Sequence, residues 1–276
     1  MVEGDAGMPM WLSATSYWHP QHYPESAWIT HAPFAFWLVD VLRPTTIVEL
    51  GTHNGYSCFV FAEALRRLRV AATVNALDSW EGDEHIGAYD ESVYEGVMGL
   101  VRSDYPDLVT PVRGYFATSR PQFSDDSVDL LHIDGRHGYD DVLEDYTMWR
   151  STVRDGGIIL FHDIAEHREG FGVWRLWGQL AAEYPSRSFA FEHGHGLGVL
   201  AVGEVRDPRL RALFEADDET VALIRADYVR LGGEIQRRAD NDGARADLVA
   251  AVNTISWRIT RPLRDAKEFA RNRRRG

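Results

Sequence analysis

Short apolar runs and longer amphipathic stretches alternate along most of this chain. The apolar and β-branched runs predict buried strands at 45–50, 72–77, 109–112, 128–133 and 157–161. Apolar residues at helical spacing predict helices at 28–42, 56–68, 139–149 and 172–183. Two further runs, 189–191 and 197–202, predict a terminal antiparallel hairpin. The alternation predicts an α/β fold: a Rossmann-like, doubly wound, mostly parallel seven-stranded sheet with that hairpin at one edge.

Changes in this pattern predict three parts of the chain. Residues 1–43 are expected to form an N-terminal cap and helix, and residues 44–205 the α/β core. Residues 206–276 read as a C-terminal helical appendage with a basic tail, broken at Gly232-Gly233 and at residues 241–243.

Composition narrows the classes of function. Hydrophobic residues make up 45% and charged residues 26%, which is ordinary for a globular protein. Cys58 is the only cysteine, no secretory signal is apparent, and no apolar run approaches about 18 residues, so a cytoplasmic protein without a membrane span is expected. The net charge of −13 argues against nucleic acid as the main partner, although residues 258–275 are basic.

A glycine loop follows the first predicted strand. Gly51 and Gly55 are separated by three residues, which is not the spacing of a pyrophosphate-binding loop, and Glu49 stands just before them. A carboxylate there would repel phosphate and suit a ligand that carries an ammonium group. Asp78 ends the second strand, where an acidic residue typically accepts ribose hydroxyls. S-adenosylmethionine meets both demands, whereas a surface Glu49 and a helix-capping Asp78 are the structural alternative.

Two later strands also end in polar side chains. Asp134 and His137 follow the strand at 128–133, and His162 and Asp163 follow the strand at 157–161. Because the carboxyl ends of neighbouring parallel strands border one crevice, we expect these four side chains to surround one site. His193 and His195 are interpreted as turn residues of the terminal hairpin.

Four segments together resemble class I S-adenosylmethionine-dependent methyltransferases. They are Glu49-Leu50-Gly51-Thr52-His53-Asn54-Gly55-Tyr56-Ser57, Leu77-Asp78-Ser79-Trp80-Glu81-Gly82-Asp83, His132-Ile133-Asp134-Gly135-Arg136-His137-Gly138-Tyr139 and Phe161-His162-Asp163. More narrowly, the chain resembles a bacterial branch associated with glycosyltransferases and related to metal-dependent sugar O-methyltransferases of macrolide and aminocoumarin tailoring. The resemblance implies that the cofactor contacts Glu49, Gly51, Thr52, Asn54, Gly55, Tyr56, Ser57, Asp78, Ser79 and Trp80.

The same resemblance implies a catalytic metal and a base. It assigns Asp134, His162 and Asp163 to a divalent cation, with Mg²⁺ expected first and Mn²⁺ as the alternative. His162 departs from the family, which has an acidic residue there; the imidazole favours Mn²⁺ or Fe²⁺, or else only forms a hydrogen bond. The catalytic residues are Asp134 and His137, the latter at the position of the family's proposed base. A metal-ligand or substrate-contact role for His137 remains open.

These expectations combine into an O-methyltransferase that acts on a sugar hydroxyl of a glycoside, a polysaccharide or a glycosylated natural product. Residues 255–264 resemble a segment near the ends of surface-polysaccharide glycosyltransferases, so a glycosyltransferase is a candidate partner, and a homodimer is expected. Two alternatives remain: a metal-dependent hydroxylase-like enzyme on the same fold, and a non-catalytic module that partners a glycosyltransferase.

Overall fold

The computed structural model describes residues 7–83 and 87–253. The chain divides into two compact units, residues 1–235 and 236–276. The helices are α1 Ala32–Leu42, α2 Tyr56–Leu68, α3 Glu91–Asp104, α4 Phe116–Ser119, α5 Tyr139–Trp149, α6 Val173–Glu183, α7 Pro208–Phe214 and α8 Asp218–Asn253. The strands are β1 Thr46–Leu50, β2 Thr73–Asp78, β3 Gly82–Asp83, β4 Gly87–Ala88, β5 Val109–Arg113, β6 Val128–Ile133, β7 Val153–His162, β8 Ser188–Phe191 and β9 Leu197–Ala201.

Seven strands form one sheet in the order β5-β2-β1-β6-β7-β9-β8. The first five are parallel, and β9 runs antiparallel to both β7 and β8. The predicted doubly wound sheet with a terminal antiparallel hairpin is therefore confirmed. Strands β3 and β4 form a separate two-stranded ribbon.

The register of the central strands brings their carboxyl ends together. Glu49 in β1 lies opposite His132 in β6, and Ile133 in β6 lies opposite Phe161 in β7. The residues that follow, Asp134 and His162, are therefore neighbours at one edge of the sheet. Strand β6 is buried along its whole length, including its two polar residues, Asp129 and His132.

The predicted breaks in the C-terminal appendage are wrong. Helix α8 runs without interruption through Gly232-Gly233 and through residues 241–243. Gly232 serves close packing, because a Cβ atom at this position would overlap the carbonyl oxygen of Thr30. A glycine pair that reads as a helix break in sequence is here the point where α8 approaches the segment before α1.

Other expectations concern residues for which no structure is described. The segment 255–264 and the basic residues of 258–275 lie outside the described residues. Within the described ranges, no helix combines the length and the apolar character needed to cross a membrane. The three-part division of the chain remains a prediction.

Candidate active site

A cavity of about 530 Å³ opens at the carboxyl ends of the parallel strands. This volume lies within the range of small-molecule sites in proteins. Most of the predicted site residues line the cavity: Gly51, Thr52, Asn54, Tyr56, Ser57, Asp78, Ser79, Asp134, His137, His162 and Asp163. The residues from Glu25 to Trp28, in the N-terminal segment, border it as well.

Gly51 allows the first strand to end close to β6. Its φ is +94°, and a Cβ atom would overlap the backbone carbonyl oxygen of Asp134. The absent side chain is therefore required by a contact between two strand ends, as well as by any ligand above the loop. This contact fixes the glycine loop against the residue that begins the acidic cluster.

Asp78 organises the loops around the cavity. One carboxylate oxygen accepts hydrogen bonds from the backbone N–H groups of Thr52 and His53, at 2.9 and 2.8 Å. The other oxygen accepts one from the N–H of Trp80, at 2.7 Å. A carboxylate has about four acceptor positions, so roughly one remains for a ligand hydroxyl. Asp78 is thus both a loop support and a lining residue.

Three of the predicted cofactor residues, Glu49, Gly55 and Trp80, do not line the cavity. Glu49 is fully buried behind Ser57, whose hydroxyl donates to Glu49 Oε1 at 2.5 Å. The same oxygen lies 3.0 Å from Nδ1 of His132. Trp80 is also buried, and its Nε1–H donates to the carbonyl of His53 at 2.9 Å. Direct contact of Glu49, Gly55 or Trp80 with a cofactor stays a prediction.

Asp134, His162 and Asp163 form a compact group at the other end of the cavity. One ligand-type atom from each lies within 4.8 Å of the others. Nδ1 of His162 is 3.1 Å from Oδ1 of Asp134 and 3.5 Å from Oδ1 of Asp163. The structure therefore brings together the three residues that the sequence assigned to a metal. One nitrogen and two carboxylates are a suitable donor set for a divalent cation.

The second oxygen of Asp163 contacts His137. Oδ2 lies 2.9 Å from Nε2 of His137, whose ring stacks on Phe171 at 4.6 Å between centroids. Asp163 has a φ of +61°, in the left-handed region that Asp tolerates better than most residues. Such a backbone conformation is typical of functional sites.

Charges within this cluster shift its pKa values. Burial opposes the charge of His162, but the nearby Asp134 and Asp163 carboxylates outweigh it and raise the pKa of the imidazole well above its usual value. Burial likewise opposes ionisation of the two carboxyls, yet the pKa of each is lowered, with His162 the main cause. The negative charge of the two carboxylates at this end of the cavity is therefore partly balanced by the protonated imidazole of His162.

Sequence reasoning missed two residues that hold His162, and a third on the cavity wall. The backbone carbonyl of Gly194 lies 3.1 Å from Nε2 of His162 and 2.9 Å from Nε2 of His31. Asp145, on α5, lines the cavity, and burial raises its pKa to about 7. Asp145 is one of four carboxylates on α5, and the sequence gave no signal that would separate it from a solvated one.

Comparisons with known proteins identify the fold. Residues 48–164 match the family model of a methyltransferase domain. A structure assigned as a caffeoyl-CoA O-methyltransferase from Staphylococcus aureus is similar at a TM-score of 0.50, with 14% identity over 62% of this chain and 82% of that one. Cofactor-bound Rv0187 from MTB is similar at a TM-score of 0.51, with 18% identity over 69% of this chain and 87% of that one. The chain has the fold of class I S-adenosylmethionine-dependent methyltransferases.

One relative of this chain is a much longer protein than the chain itself. The uncharacterized protein y4gI of Sinorhizobium fredii (strain NBRC 101917 / NGR234) is 39% identical over 254 residues, which are 91% of this chain. The chain spans only 28% of that relative's length. The methyltransferase-domain match itself includes both the glycine loop and the strand ends that carry Asp134 and Asp163.

Proposed function

We propose that this protein is an S-adenosylmethionine-dependent, divalent-metal-dependent O-methyltransferase that acts on a sugar hydroxyl. One observation carries the proposal: a single cavity joins the glycine loop and Asp78 to the cluster of Asp134, His162 and Asp163. The first group defines a donor half and the second an acceptor half. Holding two reactants in one cavity supplies a large part of the rate of a transfer reaction.

The donor half suits a nucleoside that lacks phosphate. Asp78 keeps acceptor capacity for a ribose hydroxyl, and Ser79 lies beside it on the cavity wall. Glu49 contributes negative charge one layer behind Ser57, where it favours an ammonium group and disfavours a phosphate. S-adenosylmethionine supplies an electrophilic methyl group when bound.

In the acceptor half, His137 takes the hydroxyl proton while the methyl group passes from the sulfonium sulfur to the hydroxyl oxygen. The products are a methyl ether, S-adenosylhomocysteine and a proton on His137. Asp163 orients the imidazole through the 2.9 Å contact with its Nε2 atom. A divalent cation bound by Asp134, His162 and Asp163 would stabilise the negative charge that develops on the hydroxyl oxygen.

The donor set favours methyl transfer over the hydroxylase alternative. Non-haem iron oxygenases use two histidines and one carboxylate, with positions left open for oxygen and substrate. Here the group found among the described residues contains one histidine and two carboxylates. A nucleoside pocket beside the cluster also has no use in an oxygenase.

Support for the sugar acceptor and for a glycosyltransferase partner comes from the sequence resemblance. The length of the y4gI relative is compatible with this proposal, because the matched segment is a small part of a larger protein. A cytoplasmic homodimer completes the proposal. A non-catalytic module is the competing possibility, and it need not bind S-adenosylmethionine.

The test has two stages. Calorimetric titration with S-adenosylhomocysteine should show binding that Asp78→Ala weakens and that Asp107→Ala, an exposed carboxylate on the same polypeptide, leaves unchanged. Transfer of labelled methyl groups to a panel of glycosides and polysaccharide fragments should then be lost on addition of a chelator. Absence of binding would contradict the proposed enzymatic activity. Transfer only to non-sugar hydroxyls would contradict the proposed sugar acceptor, and transfer that resists the chelator would contradict the proposed metal dependence.

A further inference from the structure

One backbone carbonyl receives two buried histidines. The oxygen of Gly194 lies 2.9 Å from Nε2 of His31 and 3.1 Å from Nε2 of His162. Both rings are buried, with 1% and 3% of their residue surfaces exposed. Because a carbonyl oxygen can only accept, the Nε2 atom of each ring carries the hydrogen.

This hydrogen bond fixes which atom of His162 faces the carboxylates. Because Nε2 keeps its hydrogen for the carbonyl, loss of the Nδ1 proton on metal binding leaves the lone pair on Nδ1. Nδ1 points at Asp134 and Asp163, at 3.1 and 3.5 Å from their nearest oxygens. Donation of the second ring N–H to a backbone carbonyl is the usual way in which proteins orient a metal-bound histidine.

The Gly194 carbonyl is itself held in place. Its residue has a φ of +57°, and a Cβ atom there would overlap the hydroxyl of Thr30. His31 is 1% exposed, and its Nε2–H donates to this carbonyl at 2.9 Å. His31 therefore supports the loop that orients His162.

We propose that His31 and the Gly194 carbonyl present Nδ1 of His162 as a metal ligand, giving a site that prefers a transition metal such as Mn²⁺ over Mg²⁺. The inference rests on the proposed function, whose metal it specifies. Mg²⁺ takes oxygen ligands and dehydrates reluctantly, whereas an imidazole nitrogen binds first-row transition metals well. His31 is a positioning residue in this scheme, since it acts through Gly194.

The test uses metal alone, on the full chain without cofactor. When Mn²⁺ is added to the wild-type protein, pulsed electron paramagnetic resonance spectra should show coupling of the metal to one imidazole nitrogen. Mg²⁺ should displace the bound Mn²⁺ only when it is present in excess. His162→Asp should lose the nitrogen coupling and bind Mg²⁺ more nearly as well as Mn²⁺. His167→Gln is the control, because His167 is exposed and its ring packs on Trp174.

The positioning role of His31 is tested by two substitutions, one of which keeps an N–H hydrogen-bond donor and one of which does not. His31→Phe keeps an aromatic ring but cannot donate, and should weaken Mn²⁺ binding by about 10- to 100-fold, as loss of outer-shell partners typically does. His31→Gln retains an N–H donor and should recover much of the affinity. Thermal melts identify any variant that fails to fold, in which case His162→Asp decides.

Three results would overturn the inference: no nitrogen coupling in the wild type, tighter binding of Mg²⁺ than of Mn²⁺, or equal Mn²⁺ affinity in wild type and a folded His31→Phe. These outcomes are separate from failure of the proposed function. S-adenosylhomocysteine titration reports on the donor half and requires no metal.

Discussion

Nε2 of His137 lies 2.9 Å from Oδ2 of Asp163, while Oδ1 of the same carboxylate faces His162 at 3.5 Å. One side chain thus touches both the predicted base and the predicted metal ligand. Its left-handed backbone, with φ at +61°, accompanies this double contact. The two functions of the acceptor half are therefore mechanically linked through Asp163.

Replacing His137 should separate binding from turnover. We expect His137→Ala to lower the methyl-transfer rate by about 10²- to 10⁴-fold, the usual contribution of a general base. Binding of S-adenosylhomocysteine should be unchanged, because His137 belongs to the acceptor half. Steady-state rates with labelled cofactor and calorimetry measure the two effects, and the exposed His167→Ala serves as the control. A fully active His137→Ala protein would rule out the base.

The link through Asp163 predicts non-additive losses. If Asp163 orients His137, then His137→Ala should cost less in an Asp163→Asn background than in the wild type, as expected for residues that act as a unit. Asp134→Asn should not reduce the cost of His137→Ala in this way, because the Asp134 carboxylate pairs with His162. The measurement is a pair of double-mutant cycles on the transfer rate. Equal coupling in both cycles would argue against a specific Asp163–His137 unit.

Asp145 should make folding stability depend on pH. Burial raises its pKa to about 7, with Arg136 opposing the shift and the carboxylates of Glu144 and Asp141 adding to it. The unfolded side chain titrates near about 4, so between about pH 4 and 7 the folded state holds a proton that the unfolded chain has lost. The neutral Asp145 carboxyl therefore makes its full contribution to the free energy of unfolding below about pH 4. That contribution is lost as the pH rises to about 7.

The substitution Asp145→Asn tests that sign. The variant has no charge to bury, so its stability relative to the wild type should rise between pH 4 and pH 8, as measured by urea denaturation at several pH values. Asp107→Asn, the same change at an exposed carboxylate, should give no comparable trend. A relative stability of Asp145→Asn that stays constant with pH would show that the carboxyl is not held in its neutral form.

Gly51 offers a test of the contact between strand ends. Gly51→Ala should destabilise the fold by at least about 1–3 kcal/mol from its positive φ, with a further cost from overlap with the Asp134 carbonyl. Gly99→Ala is the matched control: it lies within α3 with no atom within 4 Å of the added Cβ, and should stabilise by roughly 0.5–1 kcal/mol. Chemical denaturation of the three proteins measures both effects. A tolerated Gly51→Ala would mean that the loop can move away from Asp134.

The sequence predicts best where one residue pattern has one structural meaning. The mostly apolar segment from 128 to 133 is observed as strand β6 with the same bounds, since a strand buried on both faces is rich in apolar residues. Helix α3 was not predicted, because Gly96 and Gly99 weaken its helical pattern. The hydrogen bond that orients His162 could not be predicted either. Its acceptor is the backbone carbonyl of Gly194, and the second donor to that carbonyl, His31, lies 163 residues away from Gly194.

Glu49 provides the sharpest test of the donor half, because its carboxylate acts from behind the cavity wall. It is fully buried, and its Oε1 atom accepts from Ser57 and faces His132. If its charge favours an ammonium group on the ligand, Glu49→Gln should weaken binding of S-adenosylhomocysteine but not of methylthioadenosine, which lacks the amino-acid portion. Calorimetry with both ligands measures the difference, and Asp107→Asn, at an exposed carboxylate that does not line the cavity, should affect neither. Equal losses for the two ligands would mean that Glu49 supports only the shape of the loop, through Ser57.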